Sequence, residues 1–277
     1  MYTVKSPQLP ELSVVIPVHN EVENIGKLVA EIQAALTGGA AFEIVTVNDG
    51  SSDATLDVLT GLQERVQELR VVSHENCCGQ STALRTGVAA ARGKYIATLD
   101  GDGQNDPADI PHLWQRLQEL NKSEGVRMVA GYRKGRRDTA WRRFCSRVAN
   151  GVRSRILRDA TPDTGCGLKV FDRAVFMDLP YFDHMHRFLP ALVRRHGAGV
   201  VSVEVNHRPR KGGRSHYGTW DRFSAGVIDL MGVLWLLQRT RLPVSVEYFK
   251  DEHGHGMADD RTGGAATVHS TVSRAVA

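Results

Sequence analysis

Between Leu12 and Ala130 the chain switches repeatedly between short apolar runs and longer segments of helical period. No other feature restricts the fold as much. Leu12 to Val18, Phe42 to Val47, Leu69 to Ser73, Tyr95 to Leu99 and Val126 to Ala130 read as strands, short and bounded by turn residues. Helices are expected over 21–36, 53–68, 80–91 and 110–120, the first capped by Asn20 and the third closed by Gly93. Crossovers of this length join parallel strands and lay helices on both faces of a mostly parallel sheet, so the predicted class is α/β. Ligands of such sheets sit at the carboxyl ends of the strands. The turns after Val18, Val47, Ser73 and Leu99 should therefore line one cleft.

The turn after Leu99 reads DGDGQND, Asp100 to Asp106. Side chains just past a strand end repeat every two residues, so Asp100, Asp102 and Gln104 offer three oxygens on one side. Gly101 and Gly103 between them leave room for a ligand. An all-oxygen set suits Mg²⁺ or Mn²⁺ with positions open to phosphate oxygens. The competing reading is an acidic loop that caps the helix starting near Asp109.

From Arg133 the character changes. Arg133, Lys134, Arg136, Arg137, Arg142, Arg143, Arg147, Arg153, Arg155 and Arg158 crowd a stretch with almost no acids. Most of it reads as a helix over 139–157. Val200 to Asn206 reads as a strand and Trp220 to Gln238 as an amphipathic helix. Its apolar part, Val227 to Leu237, falls short of the roughly 20 residues a membrane span needs. Burial in the core and an interfacial position on a bilayer are both open, the second favoured by Arg222, Arg239 and Arg241. Residues 251–277 lack periodicity and are expected to be disordered. The organisation expected is one domain over 1–250, divided into a first half at 9–131 and a second half with the amphipathic helix at 132–242, and a tail at 251–277. Net charge is only +4. Cys77, Cys78, Cys145 and Cys166 form no C-x-x-C pair, which disfavours zinc and disulfide frameworks and suits reduced thiols in the cytoplasm. The segment MYTVKSPQLPE has no signal-peptide pattern.

No phosphate-loop or dinucleotide-fold glycine signature is present. Asp49, at the end of the second strand, is placed either to accept base N–H groups or to shape its turn. The stretches PVHNEVENI (Pro17 to Ile25), VNDGSSDAT (Val47 to Thr55), GQSTALRTG (Gly79 to Gly87) and LDGDGQNDP (Leu99 to Pro107) occur in an order and spacing that resemble the family 2 glycosyltransferases. GYRKGRRD (Gly131 to Asp138), DTGCGLKVFDR (Asp163 to Arg173) and HRPRKGGRSHYG (His207 to Gly218) are similar to the dolichol-phosphate mannose synthase branch, which includes bacterial undecaprenyl-phosphate sugar transferases. The resemblance implies a GT-A fold, a nucleotide-diphosphate sugar donor and a divalent cation on Asp100, Asp102 and Gln104. It assigns Pro17, His19, Glu21, Asp49, Gln80, Asp100 and Arg210 to nucleotide-sugar binding. It assigns Asp100, Asp102, Arg133, Arg142 and Ser146 to catalysis, the last three on the acceptor phosphate. Asn48 and His19 stand where many relatives have Asp and an aromatic residue, which leaves GDP and UDP both open.

A phosphate acceptor is also suggested by the residues themselves. A hydroxyl acceptor needs a general base, whereas a phosphomonoester is already anionic at neutral pH and needs cations to place it. The arginine stretch supplies them in forked geometry. Relatives with hydroxyl acceptors usually carry a Glu-Asp pair where this chain reads His186-Arg-Phe-Leu-Pro190. The expected activity is inverting sugar transfer to a polyprenyl phosphate at the inner face of the cytoplasmic membrane, by a peripherally bound protein. A hydroxyl acceptor on a glycan is the alternative. A solvated basic face and a nucleic-acid patch are competing readings of the arginines; the nucleic-acid one lacks interleaved aromatics, and no nucleic-acid partner is expected. Sugar identity and oligomeric state are not legible.

Overall fold

The computed structural model describes residues 9–133, 157, 161–208 and 219–239. The expected helix over 139–157, Arg142, Ser146, Arg210 and the 251–277 tail lie outside the described residues or almost wholly so. Seven strands form one sheet in the order β3-β2-β1-β4-β6-β5-β7. They are β1 (Leu12–Val18), β2 (Phe42–Asp49), β3 (Leu69–His74), β4 (Tyr95–Thr98), β5 (Val126–Arg133), β6 (Lys169–Asp172) and β7 (Gly199–Val205). All pairings are parallel except those of β6, which runs antiparallel to both β4 and β5. The helices are α1 (Ile25–Leu36), α2 (Thr55–Gln63), α3 (Gln80–Ala90), α4 (Ile110–Glu124), α5 (Arg173–Met177), α6 (Leu189–Arg195) and α7 (Thr219–Arg239).

Alternate residues of the strands feed two apolar layers. Val14 and Ile16 of β1 pack with Ile25, Leu28, Val29 and Ile32 of α1, Leu59 of α2, and Leu113 and Leu117 of α4. Val15 points the other way, with Val45, Ile96 and Met128, against Leu84 and Val88 of α3, Phe176 of α5, Leu192 of α6 and Val233 of α7. Burying each such side chain contributes about 1.5–3 kcal/mol. The period-two split is what makes the sheet a two-faced partition.

Three helix ends differ by four residues or more from the sequence expectation, one of them that of α4, which runs on to Glu124 past the expected Leu120. α1 begins at Ile25, not at Glu21, because Asn20 adopts a left-handed φ of 54°. Its Oδ1 accepts hydrogen bonds from the Ser52 and Asp53 amides (2.8 and 3.3 Å), and the Glu21 amide donates to Thr55 Oγ1 (3.0 Å). Asn20 thus ties the β1 exit to the β2 exit and does not cap the helix. Likewise α2 stops at Gln63, five residues before the expected end at Glu68. The β6–α5 unit and the short α6 were not anticipated. By contrast, α7 matches the helix expected over Trp220 to Gln238.

At the amino ends of the strands, a buried polar knot joins four segments. Glu43 accepts from Ser13 Oγ (2.6 Å), the Arg92 amide (2.6 Å) and Arg70 Nη1 (2.8 Å), and the Gly93 amide donates to Ser13 Oγ (2.9 Å). Burial alone would raise the Glu43 pKa, but these donors outweigh it and hold the carboxyl below its ordinary 4.5. A depressed folded-state pKa stabilises the protein above the unfolded value, and the gain is lost as pH falls through the folded one. We expect Glu43→Ala to cost about 3 kcal/mol in urea unfolding, since it leaves buried donors unpaired. The gap between wild type and Glu43→Gln should narrow as pH drops below 4.5.

Candidate active site

The carboxyl ends of β1, β2 and β4 converge with the N-terminus of α3, so backbone direction alone gathers Pro17, Asp49, Gln80 and Asp100. Gly50, at φ +59°, closes the β2 exit. A Cβ there would run into the backbone of Asn76 and Cys77, so only glycine lets the two loops touch.

Asp49 is 3 % exposed and its carboxylate serves the loop after β3. Oδ1 accepts from His74 Nδ1 (2.8 Å) and the Cys78 amide (2.9 Å); Oδ2 accepts from the Gly79 amide (2.8 Å) and the Cys77 thiol (3.4 Å). Burial by itself would raise its pKa, yet these donors bring it below 3.8. His19 Nδ1 donates to the Asp49 carbonyl (2.7 Å), and Glu21 Oε2 accepts from Asn24 Nδ2 (2.7 Å). Potential ligand atoms of Asp49, His74 and Cys78 lie within 4.8 Å of one another, a grouping the sequence did not suggest. The hydrogen bonds just given already engage Asp49.

The acidic loop is strapped from outside. Arg208, just past β7, pairs with Asp106 (2.7 Å) and Glu31 (2.5 Å), and its amide donates to the Gln104 carbonyl (2.9 Å). Asn105 bridges to His207. Asp106 caps the turn Pro107–Asp109 by accepting from the Ala108 amide, so capping falls to Asp106 while Asp100 and Asp102 face cavities. Asp100 lines a cavity of ≈ 260 Å³ with Pro17, Gln80, the 164–167 loop, Lys169, His186 and Arg187. Asp102 lines a second, of ≈ 280 Å³, with Lys27, Glu31 and Arg208. The loop is a wall with one carboxylate on each side.

Asp100 is crowded with charge. Gln80 Nε2 donates to Oδ1 (2.8 Å). Burial first, and then the Asp102 charge, push its pKa up, against the pull of Lys169 and Arg133. Two carboxylates whose charges penalise each other beside phosphate-sized space are what a hard divalent cation relieves, so the charge at this loop suits such an ion, although Asp100 and Asp102 line different cavities and not the single side expected.

β6 carries the residues that the sequence reasoning left unassigned. Because it runs backwards between β4 and β5, the loop before it, Asp163 to Leu168, arrives at the carboxyl edge beside Asp100. Lys169 is 4 % exposed, and its ammonium donates to the Cys166 carbonyl. Burial lowers its pKa. A lysine inside an apolar strand was the available signal. Arg133, expected to hold an acceptor phosphate, is clasped by Asp163 through Nε (2.6 Å) and Nη2 (2.9 Å). Burial alone would lower its pKa, but this pairing raises it. His186 Nδ1 meets Ser81 Oγ (2.8 Å), and burial, then the charges of Lys169, Arg187 and His184, take its pKa down to about 3. His184 pairs with Asp229 of α7 (2.8 Å). Both histidines thus have hydrogen-bond partners within the fold.

Residues 13–179 match the model of glycosyl transferase family 2. The chain is 36 % identical over 242 residues to a dodecaprenyl-phosphate galacturonate synthase of Rhizobium johnstonii, covering 84 % of this chain and 69 % of that protein. It is 35 % identical over 209 residues to an undecaprenyl-phosphate 4-deoxy-4-formamido-L-arabinose transferase of Pseudomonas paraeruginosa, covering 74 % and 60 %. The chain therefore spans about three fifths to two thirds of those relatives. Glucosyl-3-phosphoglycerate synthase of Mycobacterium tuberculosis, solved with UDP, superposes with TM-score 0.62 at 20 % identity over 90 % of this chain and 87 % of that one. The shared fold is the GT-A arrangement expected from the sequence.

Gly167 abuts Asp100 so closely that a Cβ would enter the carboxylate. Gly167→Ala should lower turnover at least about 100-fold, near 2.7 kcal/mol in the barrier. Far-UV circular dichroism should stay unchanged, which would separate a displaced Asp100 from a lost fold.

Proposed function

The chain belongs to glycosyl transferase family 2, and we propose that it moves a sugar from a nucleoside-diphosphate donor to a polyprenyl phosphate with inversion at the anomeric carbon. The observation that carries this reading is the make-up of the cavity beside Asp100. Its described lining holds two cations, Lys169 and Arg187, and no carboxylate other than Asp100. Its histidine, with a pKa of about 3, has almost no affinity for a proton at neutral pH. In this reading Asp100 is committed to the cation, so no free carboxylate remains there as the general base that a hydroxyl acceptor needs. The cavity suits an acceptor that arrives already ionised, and a phosphate monoester is one. The relatives named above act on polyprenyl phosphates by name, which points the same way.

Within this reading, one oxygen of the acceptor phosphate bonds to the anomeric carbon from the side opposite the diphosphate. The bond from that carbon to the donor phosphate breaks, and the nucleoside diphosphate leaves. Asp100, Asp102 and Gln104 would hold Mg²⁺ or Mn²⁺, which when bound supplies Lewis-acid charge for the departing diphosphate. Gln80 orients Asp100, and Arg208 with Asp106 keeps the loop in register. The base and ribose belong at the β1 and β2 exits, near His19, Glu21 and Asp49. Asp49 acts there chiefly by holding the 77–79 loop as a wall. Arg133 is oriented by Asp163. Arg142, Ser146 and Arg210 stay assigned to phosphate by resemblance alone.

A lipid acceptor implies work at a bilayer. No helix among the described residues is long and apolar enough to cross a membrane. On α7, Ile228, Met231 and Trp235 are 71 %, 66 % and 61 % exposed, while Val233 is buried. The spacing puts the three on one outward stripe. An exposed apolar stripe on a helix that is anchored from behind suits peripheral contact with lipid at the cytoplasmic face.

The reading is tested by incubating the protein with undecaprenyl phosphate, Mn²⁺ and a panel of UDP- and GDP-sugars, with the lipid product weighed by mass spectrometry. A glycosylated lipid phosphate is expected from at least one donor, and Asp102→Ala should reduce its formation at least about 1,000-fold. Near-normal turnover in that variant would sink the ion assignment. For the membrane contact, Met231→Ser with Trp235→Ser should weaken cosedimentation with anionic vesicles by about tenfold or more. Unchanged sedimentation would assign the stripe elsewhere.

A further inference from the structure

The helix with the exposed apolar stripe is joined by one polar contact to the segment that lines the cavity beside Asp100. Asp229 follows the exposed Ile228 on α7, yet its carboxylate turns inward and accepts from His184 Nδ1 (2.8 Å). A carboxylate on an interfacial helix is repelled by anionic lipid, and burying one costs energy unless it is paired. Apolar packing already holds the inner side of α7. Val233 is buried, and Leu230 and Leu234 pack into the layer that contains Phe188 and Leu189. Such packing is non-directional. A hydrogen bond between side chains is directional, so the Asp229–His184 contact fixes how α7 is turned and slid along residues 183–189.

His184 is where that contact meets the cavity wall. It adopts a left-handed φ of 62°, which is uncommon for a residue with a β-carbon and persists where the surroundings hold it. Two carboxylates hold it here. Asp183 Oδ1 accepts from its amide (2.8 Å), and Asp229 accepts from its ring. Directly after it, the turn Met185–Arg187 carries His186 and Arg187 to the cavity. The same segment is fastened to α3, by Tyr181 to Thr82 Oγ1 (2.6 Å) and by His186 Nδ1 to Ser81 Oγ (2.8 Å). The residue before Ser81 is Gln80, whose Nε2 donates to Asp100 (2.8 Å). Three side-chain hydrogen bonds, linked by two short stretches of backbone, therefore run from α7 to Asp100.

We propose that His184 is a positioning residue: it passes the seating of α7 on a membrane to the turn that carries His186 and Arg187, so that docking sets the cavity for turnover. This rests on the membrane contact proposed above and adds its effect on the site. Lipid against the outer side of α7 restricts the helix. The restricted helix holds Asp229, and Asp229 holds His184 in its left-handed turn. A ligand that orders one element favours the state which that element orders in turn. Arg187 keeps its place beside the acceptor phosphate, and His184 touches neither substrate.

Two measurements test this, the first with lipid alone. Amide hydrogen exchange of residues 183–189, read by mass spectrometry, is compared with and without vesicles of phosphatidylethanolamine and phosphatidylglycerol in equal parts. Vesicles should slow exchange there at least about fivefold in the wild type, the low end of coupling between two sites. His184→Gly keeps the left-handed turn but drops the side chain. It should bind the vesicles within about twofold of wild type and lose the protection. The second measurement is turnover of vesicle-borne undecaprenyl phosphate with the nucleotide sugar that the donor panel yields. His184→Gly should lower kcat at least about fivefold with little change in KM for the lipid. His184→Asn tolerates the same φ and keeps an N–H donor, so it should restore part of the loss. Equal protection in wild type and His184→Gly overturns the proposal, as does a wild type that binds vesicles without gaining protection. Vesicle binding that falls in His184→Gly in step with turnover makes His184 a mere fastener of α7 and overturns it too. A wild type that leaves the vesicles unbound overturns it together with the membrane reading. Where the panel yields no product at all, the sugar-transfer reading falls and takes this one with it.

Discussion

Two like charges, Asp100 and Asp102, are held together by one loop at the end of β4, and the surrounding architecture is organised to keep them so. Left alone they repel, and Asp100 answers with a raised pKa. The protein restrains the pair from every side. Gln80 comes from the start of α3. Asn105 is pinned beneath by Cys166 and bridged to His207. Arg208 clamps Asp106 to α1 through Glu31. Gly167 leaves the space a methyl group would deny. Pre-organised carboxylates of this sort hold unfavourable electrostatics that a bound cation would relieve, and that is the ground for proposing the loop as a cation site.

The reversed strand explains how the second half of the chain reaches the same place. In a sheet of parallel strands only carboxyl ends would meet the cleft. β6 runs the other way, so its amino end lies there, carrying Asp163 to Lys169 with it. One reversal brings the Arg133 clasp, the Gly167 gap and the buried ammonium to the edge where the acidic loop already sits. It also turns α5 and α6 onto the face that holds α3, and so delivers His186 and Arg187.

How much of this was legible follows from the range of the signals. β1, β2, β3, β4, β5 and β7 were readable because apolar runs bounded by turn residues are local patterns. The acidic loop was readable as a carboxylate-rich turn after a strand, but not which way its oxygens face: Asp100 and Asp102, expected on one side, line different cavities. Four-residue β6 was not: KVFD is too short for a period, and its partners, β4 and β5, lie far away in sequence. Asn20 misled because a good capping residue was also the best left-handed one, and a tertiary contact with Ser52 and Asp53 decided between the two. Arg133 could be placed near the site but not paired, since Asp163 lies 30 residues on. That Lys169 and Arg187 share one cavity with Asp100 became visible only when the neighbours of each were known.

The distribution of charge also bears on mechanism. A site that accepts protons from a hydroxyl needs a group whose pKa lies near neutrality. Here His186 is driven down, away from that range, by burial and by Lys169 and Arg187, and Cys166 up by burial, whereas burial moves Asp100 up and Lys169 down, toward it. The cations that disable a base are the ones that would draw in an anion. General-base catalysis and anion capture are therefore competing uses of one cavity. With Lys169 and Arg187 both on its lining, the cavity beside Asp100 favours the second use, in keeping with the proposed acceptor that brings its own charge.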